Sequence, residues 1–437
     1  MKHVLLLGAG LVSHPIIDYL TQQDGIFLTV ADISIENAQK HLVGKHNSAA
    51  TALDINDTDS LDTLISGSDI VVSLLPFTMH TIVAKHCIKL KKSMVNASYV
   101  SDELKALDAS AKDAGILILC EMGLDPGIDH MSAMKIIRAE QKLGHKIEHF
   151  HSYCGGIPSP EAANNPFKYK FSWSPKGVLI AGNSSAKYLE NDSEINIDGK
   201  YLFDNAKNIK INQKEYEAYP NRDSLDYINI YGLNGVKSMM RGTLRYKGWS
   251  LLLNALKDLN ILTNQEIPEQ TCSFLEILNS INNTTNDAND FAHSLLIDGY
   301  SKEIIDALKW LGIFSEIPYT WQNKPSIDCL AELMSEKMSY NQGEKDMIIM
   351  HHEFVVAMQN NKRKKITSTL IDYGIDGGDS SMARTVSLPV AITVKLILDQ
   401  KIKMTGIHIP VHPDIYEPVL NELETVGIKF KETEIIL

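Results

Sequence analysis

One short segment near the start constrains this chain more than any other. Val4-Leu5-Leu6-Leu7 runs straight into Gly8-Ala9-Gly10-Leu11-Val12-Ser13, and a helical pattern follows over Pro15–Thr21. An apolar run closed by two nearby glycines and followed at once by an amphipathic helix reads as strand, tight turn and helix. A strand that feeds a helix directly has to cross over before the next strand, which favours parallel pairing. The alternation continues. Strand-like runs fall at Val4–Leu7, Phe27–Ala31, Ala50–Leu53, Ile70–Leu74, Met94–Asn96 and Ile116–Leu119. Helical patterns lie between them at Pro15–Thr21, Ile35–Leu42, Asp57–Ser66, His80–Leu90 and Asp102–Ala114. Six strands with five connecting helices predict a doubly wound parallel α/β sheet, the Rossmann architecture.

After Glu121 the texture changes. Gly123–Gly127 ends the alternation and opens a long helix to about Leu143, with Asp125 expected as its N-cap and Pro126 at its first position. Residues 152–175 are dense in turn formers and read as irregular. Apolar positions from 249 to 338 keep a helical period, broken by the polar run 282–289. Strand-like runs return at Asp346–Met350 and Ile366–Ile371, and the end is helical over Ser387–Leu398 and Asp414–Thr425. The expected organisation is a Rossmann domain from residues 1–126 plus about 385–437. An α+β domain for substrate binding and dimerisation spans 127–384, with a helical insertion at about 249–338.

At 437 residues, two or three domains are expected. The net charge of −12 argues against nucleic acid or an anionic membrane as the main partner. No apolar stretch in the sequence approaches the roughly 20 residues that span a bilayer. Five well-separated cysteines without a CxxC spacing indicate a reduced, cytoplasmic protein. His149 with His151, and His351 with His352, lack cysteine or carboxylate neighbours at ligand spacing, so no metal is expected.

The glycine loop suits a dinucleotide. Its first glycine permits the turn, its second lets backbone approach a pyrophosphate, and the third small position, here Ser13, packs helix on strand. The phosphates would lie at the helix N-terminus. Asp32, 22 residues after Gly10, ends the second strand, where a carboxylate bonds ribose hydroxyls and repels a 2′-phosphate. Ile33, Ser34 and Ile35 follow it without a basic residue, so NAD is favoured, with NADP as the alternative cofactor. Asp54 ends the third strand near the expected adenine position, though an Asp there also suits a helix cap.

Longer motifs carry a specific likeness. They are SLLP at Ser73, ASYV at Ala97, GLDPGIDH at Gly123, SYCGG at Ser152 and NNPFKYKFSWSP at Asn164. YPNRDS at Tyr219, RGTLRYKG at Arg241 and EKDMI at Glu344 complete the set. With these the chain resembles the L-glutamate-forming saccharopine dehydrogenases, or saccharopine reductases. The resemblance implies oxidation of saccharopine to L-glutamate and 2-aminoadipate 6-semialdehyde in lysine metabolism. It places Ser98, Tyr99, Asp125, Arg222, Thr243, Leu244 and Arg245 at the substrate. It places Gly8, Gly10, Leu11, Val12, Asp32, Ile33, Asp54, Ile55, Leu75, Ala97, Ser98, Leu124, Asp125, Pro126 and Ser174 along the cofactor.

Saccharopine has a secondary amine and three carboxylates, so its site needs cations and a route for protons. Arg222 and Arg245 supply planar forks for carboxylates, and their Asn, Tyr and Gly neighbours suggest loops. Tyr99, Asp125 and Cys154 are the candidates for acid–base work, although a buried cysteine is also an ordinary packing residue. Two other readings stay open: a related imine reductase such as a carboxyspermidine-type dehydrogenase, whose substrate lacks one carboxylate, and a non-catalytic dinucleotide sensor. The sequence leaves a homodimer open.

Overall fold

The computed structural model describes residues 1–267, 271–320, 324–359 and 362–437. The chain forms two compact units. Unit 1 comprises Met1–Lys146, Ala357–Lys362 and Leu370–Lys431, and unit 2 comprises Ile147–Val356, Arg363–Thr369 and Glu432–Leu437.

In unit 1 the elements run β1 (Lys2–Leu7), α1 (His14–Thr21), β2 (Ile26–Asp32), α2 (Ile35–Lys40), β3 (Ser48–Ala52), α3 (Thr58–Ser66), β4 (Ile70–Ser73) and α4 (His80–Leu90). They continue with β5 (Ser93–Asn96), α5 (Asp102–Lys105), α6 (Asp108–Ala114), β6 (Leu117–Leu119) and α7 (Ile128–Lys142). A seventh strand, Gly406–His408, joins the edge, giving the order Gly406–His408, β6, β5, β4, β1, β2, β3. Every pairing in this sheet is parallel. The order reverses at β1, which lies between β2 and β4, and ligands of such sheets bind beyond the strand ends at this switch.

The predicted helix over Asp102–Ala114 is two helices. The second restarts at Asp108, whose Oδ1 accepts the Ile407 N–H of the seventh strand at 2.8 Å. That tertiary anchor is invisible in local sequence. The 18-residue helix Ser381–Leu398 is long and apolar enough to cross a membrane by length and composition, contrary to the sequence reading, but 78% of it is buried inside the protein. It packs on α1 and on β4 and β5, as a core helix.

The boundaries drawn from sequence differ from the units. α7 packs on the helix Pro413–Thr425 and so belongs to unit 1. Unit 1 also resumes at Leu370 rather than about 385. Arg384 Nη1 reaches both oxygens of buried Asp372 at 3.0 and 2.9 Å, tying the end of one strand to the start of the core helix.

The second sheet is mixed and has nine strands. Its path is Lys207–Ile211, Lys214–Pro220, Ser238–Arg245, Lys146–Pro158, Asp346–Ala357, Arg363–Tyr373 and Lys431–Ile436. Ala186–Glu190 and Ser193–Ile197 branch from Ser238–Arg245. Residues 152–158, expected to be irregular, complete a buried strand. Gly155 is there because a Cβ would lie 2.4 Å from the Leu244 carbonyl oxygen of the neighbouring strand. Gly155 therefore marks close strand packing rather than a loop. Five helices (Trp249–Asp258, Phe274–Asn282, Ala288–Ile297, Lys302–Leu311 and Ser326–Lys337) form the predicted insertion, of which residues 268–270 and 321–323 lie outside the described residues. Its polar interruption is the turn before Asp287, which builds a capping box with Asp290.

Candidate active site

The glycine loop separates two requirements. Gly8 has φ +99°, and a Cβ there would meet the Leu74 carbonyl oxygen at 3.0 Å, so the fold itself demands glycine. Gly10 lies outside the positive-φ region and a Cβ there would meet nothing within 4 Å. The fold does not need this glycine, but a pyrophosphate passing close to the backbone would. Ser13 is buried and its hydroxyl donates to the Gly10 carbonyl at 2.8 Å, closing the loop at the start of α1.

Asp32 clamps the loop from the end of β2. Its Oδ2 accepts the Ala9 N–H at 2.7 Å and its Oδ1 accepts the Ser34 N–H at 3.0 Å. Leu11, Ile33 and Phe77 follow β1, β2 and β4 and are each about three-quarters exposed (75%, 78% and 77%). Large apolar side chains at the switch-side strand ends suit the flat faces of adenine and nicotinamide. Val12, Leu75, Ala97 and Asp125 are half-buried around the same strand ends, and Ile55, Leu124 and Pro126 are buried. Asp54 is exposed and accepts the Asn56 N–H, while Asp57 caps α3. These features fit a dinucleotide.

Beyond β5, the segment Ala97–Val100 is held from several sides. The Ser98 N–H donates to Asn96 Oδ1 at 3.0 Å, its carbonyl accepts the Glu121 N–H at 3.0 Å, and its hydroxyl lies 2.8 Å from His80 Nε2. Glu121 also accepts the Val100 N–H on Oε1 at 3.0 Å, so one residue brackets Tyr99 on both sides. Glu121 is buried at φ +60°, a conformation that costs a non-glycine residue on the order of 1–3 kcal/mol. His130 Nε2, fully buried, holds its other oxygen at 2.7 Å. Tyr99 then donates to Asp125 Oδ1 at 3.0 Å, which joins two of the predicted catalytic residues.

Asp125 is not the cap of α7, as the sequence suggested. The N-cap is Gly127 at φ 148°, where a Cβ would fall 2.0 Å from the Gly123 carbonyl oxygen. The Gly127 N–H donates to Asp129 Oδ1 at 2.6 Å. The carboxylate that serves the helix start is therefore Asp129, and Asp125 stands in the loop before it.

Unit 2 carries the remaining candidates. Cys154 lies on Lys146–Pro158 in register with Thr243 and is buried. Cys87, Cys120 and Cys329 are also buried. Leu244 is fully buried. Arg245, expected on a loop, ends a strand and is 5% exposed, opposite Glu217 in the ladder. Its guanidinium stacks over Tyr169 at 5.0 Å and Trp249 at 5.7 Å, and Nη1 donates to the Leu244 carbonyl at 2.8 Å. Its Nε has no hydrogen-bond partner among the described residues. Glu217 meanwhile accepts the Gly248 and Ser250 N–H groups at the start of Trp249–Asp258.

Arg222 is different. It lies exposed in the loop after Lys214–Pro220, at φ +55°. The ladder pairs Pro220 with Gly242, so Arg222 and Arg245 are about five residues apart along the strands, roughly 16 Å. Ser174 is exposed and caps Pro175–Gly182, with its hydroxyl accepting the Gly177 N–H at 3.1 Å. Among the described residues no group of three or more His, Cys, Asp or Glu is placed to hold a metal ion.

Sequence reasoning missed His80, Asn96, Glu121 and His130. Asn96 ends a strand and Glu121 follows one, His130 lies inside the GLDPGIDH motif and His80 opens α4, places where polar residues are common. Only the folded chain shows that all four converge on residues 98–100.

Two domain families match the chain. The saccharopine dehydrogenase NADP binding domain covers residues 4–119 and the saccharopine dehydrogenase C-terminal domain covers 123–428. The saccharopine dehydrogenase [NADP(+), L-glutamate-forming] of Pyricularia oryzae is 38% identical over 99% of this chain and 98% of its own length. The enzyme of the same description from Saccharomyces cerevisiae is 38% identical over 99% of both chains. The solved apo structure of the L-Glu-forming enzyme from Saccharomyces cerevisiae superposes with a TM-score of 0.91 over 100% of both chains, at 37% identity.

Proposed function

This chain belongs to the saccharopine dehydrogenase family, and from that premise we propose that it oxidises saccharopine to L-glutamate and 2-aminoadipate 6-semialdehyde, with NAD as the preferred hydride acceptor although the curated relatives are named for NADP(+). The observation that carries the reading is the Tyr99–Asp125 hydrogen bond beside the thrice-anchored Ser98, at the strand ends that flank the glycine loop. The nicotinamide supplies the acceptor for the hydride that leaves the lysine-derived carbon beside nitrogen. Water then adds to the resulting imine carbon and the C–N bond breaks, with the electron pair going to nitrogen.

In this reading Asp125 takes the proton released as water adds, and the Tyr99 hydroxyl keeps that carboxylate oriented. Ser98 gives the substrate a polar contact of fixed position. Arg222 holds one carboxylate from its exposed loop. Arg245, together with Thr243 and Leu244, forms the firm wall of the substrate domain. Cys154 is the third candidate for proton handling. A Cys154→Ala variant separates that role, which gives a large loss in kcat, from packing, which gives little.

NAD preference rests on Asp32 and the absence of a basic side chain in Ile33-Ser34-Ile35. The protein is read as a reduced, cytoplasmic enzyme, with a homodimer as its simplest assembly. The test is turnover of saccharopine by purified protein with each cofactor, with product analysis. Glutamate should appear in step with reduced nicotinamide, and kcat/KM should be higher with NAD. Free lysine appearing instead refutes the assigned cleavage. Equal or better use of NADP refutes the cofactor reading.

A further inference from the structure

His80 opens α4, immediately after the loop that leaves β4, and is 2% exposed. Its two ring nitrogens each face one serine hydroxyl. Nδ1 lies 2.9 Å from Ser73 Oγ, at the end of β4, and Nε2 lies 2.8 Å from Ser98 Oγ, beyond β5. Ser73 is fully buried, so this line of three groups starts in the core and ends at the candidate site. Burial pushes the imidazole down to about 4, so it is neutral at physiological pH. A neutral imidazole has one donor and one acceptor nitrogen, and both are engaged here.

The Ser98 backbone is already fixed through Asn96 and Glu121. What those contacts leave undetermined is the rotamer of its hydroxyl and the direction of its proton. We infer that His80 is a positioning residue that sets the Ser98 hydroxyl for substrate, with Ser73 holding the imidazole in place. A hydroxyl with its inward hydrogen bond assigned presents a defined remaining direction outward, so no rotor has to be frozen when substrate arrives. This rests on the proposed place of Ser98 at the substrate.

The test uses amide replacements that mimic one ring nitrogen each. In His80→Asn the amide falls near Nδ1, keeping the Ser73 contact and losing Ser98. In His80→Gln it falls near Nε2 and keeps Ser98. Saccharopine kcat/KM should fall about tenfold or more in His80→Asn and in Ser98→Ala, and His80→Gln should recover a large part of the loss. The double variant Ser98→Ala/His80→Asn should be no worse than Ser98→Ala alone, because contacting residues in one network are non-additive. If His80→Asn fails to fold, the comparison is His80→Gln against Ser98→Ala: the former should keep most of the kcat/KM that the latter loses, and an equal loss overturns the inference. Equal loss in His80→Asn and His80→Gln, or losses that multiply with Ser98→Ala, overturns the inference. Wild-type turnover of saccharopine tests the functional reading separately, since the inference depends only on ratios among variants.

Discussion

Gly8 and Gly10 stand two residues apart in one loop, yet replacing each with alanine should damage the protein in opposite ways. At Gly8 the backbone is at φ +99° and the new methyl would sit 3.0 Å from the Leu74 carbonyl oxygen. Both effects act on the folded state, and strain of this kind costs on the order of 1–3 kcal/mol. At Gly10 the backbone is outside the positive-φ region and the methyl would enter open space. Folding should be unharmed there, and restricting the unfolded chain could add about 0.4–1 kcal/mol of stability. The same methyl occupies the approach of the pyrophosphate, so dinucleotide affinity should drop ~10- to 100-fold, or about 1.4–2.8 kcal/mol. Denaturant unfolding without ligand and fluorescence titration with reduced dinucleotide separate the two effects. Gly8→Ala should lower the unfolding midpoint. Gly10→Ala should keep the midpoint and lose the titration. Normal dinucleotide affinity in folded Gly10→Ala would show that this loop does not seat the pyrophosphate.

The two arginines should also part company. Arg222→Ala should raise the KM for saccharopine at least tenfold with little change in Tm, whereas Arg245→Ala removes a buried side chain packed on Tyr169 and Trp249 and should cost about 2–5 kcal/mol of stability by thermal or denaturant unfolding. Equal Tm for wild type and Arg245→Ala would refute the core role. Asp125→Asn should lower kcat by about a hundredfold or more, and Tyr99→Phe by less, since the phenol acts through the carboxylate; steady-state kinetics at saturating cofactor decides. His80 binds a proton at about pH 4 when folded and near 6.5 when unfolded, so its contribution is complete above 6.5 and is lost as pH falls toward 4. At about 1.4 kcal/mol per pH unit, this amounts to about 3 kcal/mol. Unfolding curves between pH 7 and 4 should be less steeply pH-dependent in His80→Gln, and an unchanged pH dependence refutes the assignment.

What the sequence determined by itself was local and periodic. Six of the seven strands of the first sheet, the glycine loop and Asp32 at the end of β2 were all legible, because parallel strands buried on both faces leave apolar runs separated by helical patterns. The helical insertion was legible from the helical period of its apolar positions, and its division into five helices came only with the structure. The motif likeness supplied the residues of the candidate site, including Tyr99 and Asp125, which the fold joins. Tertiary structure decided whatever depends on non-local neighbours. Gly155 looked like a turn former and is a close-packed strand residue, because the Leu244 carbonyl passes where its side chain would be. Arg245 looked like a loop cation and is core, because the strand Ser238–Arg245 carries it against the Tyr169 and Trp249 rings. The seventh strand pairs with β6 across almost 300 residues of chain, and Asp108 is fixed to it only once both are folded. His80, Asn96, Glu121 and His130 carry no periodic signal. Their importance lies in hydrogen-bond partners that sequence spacing cannot specify, since a buried polar group is satisfied by whatever the folded chain brings within reach.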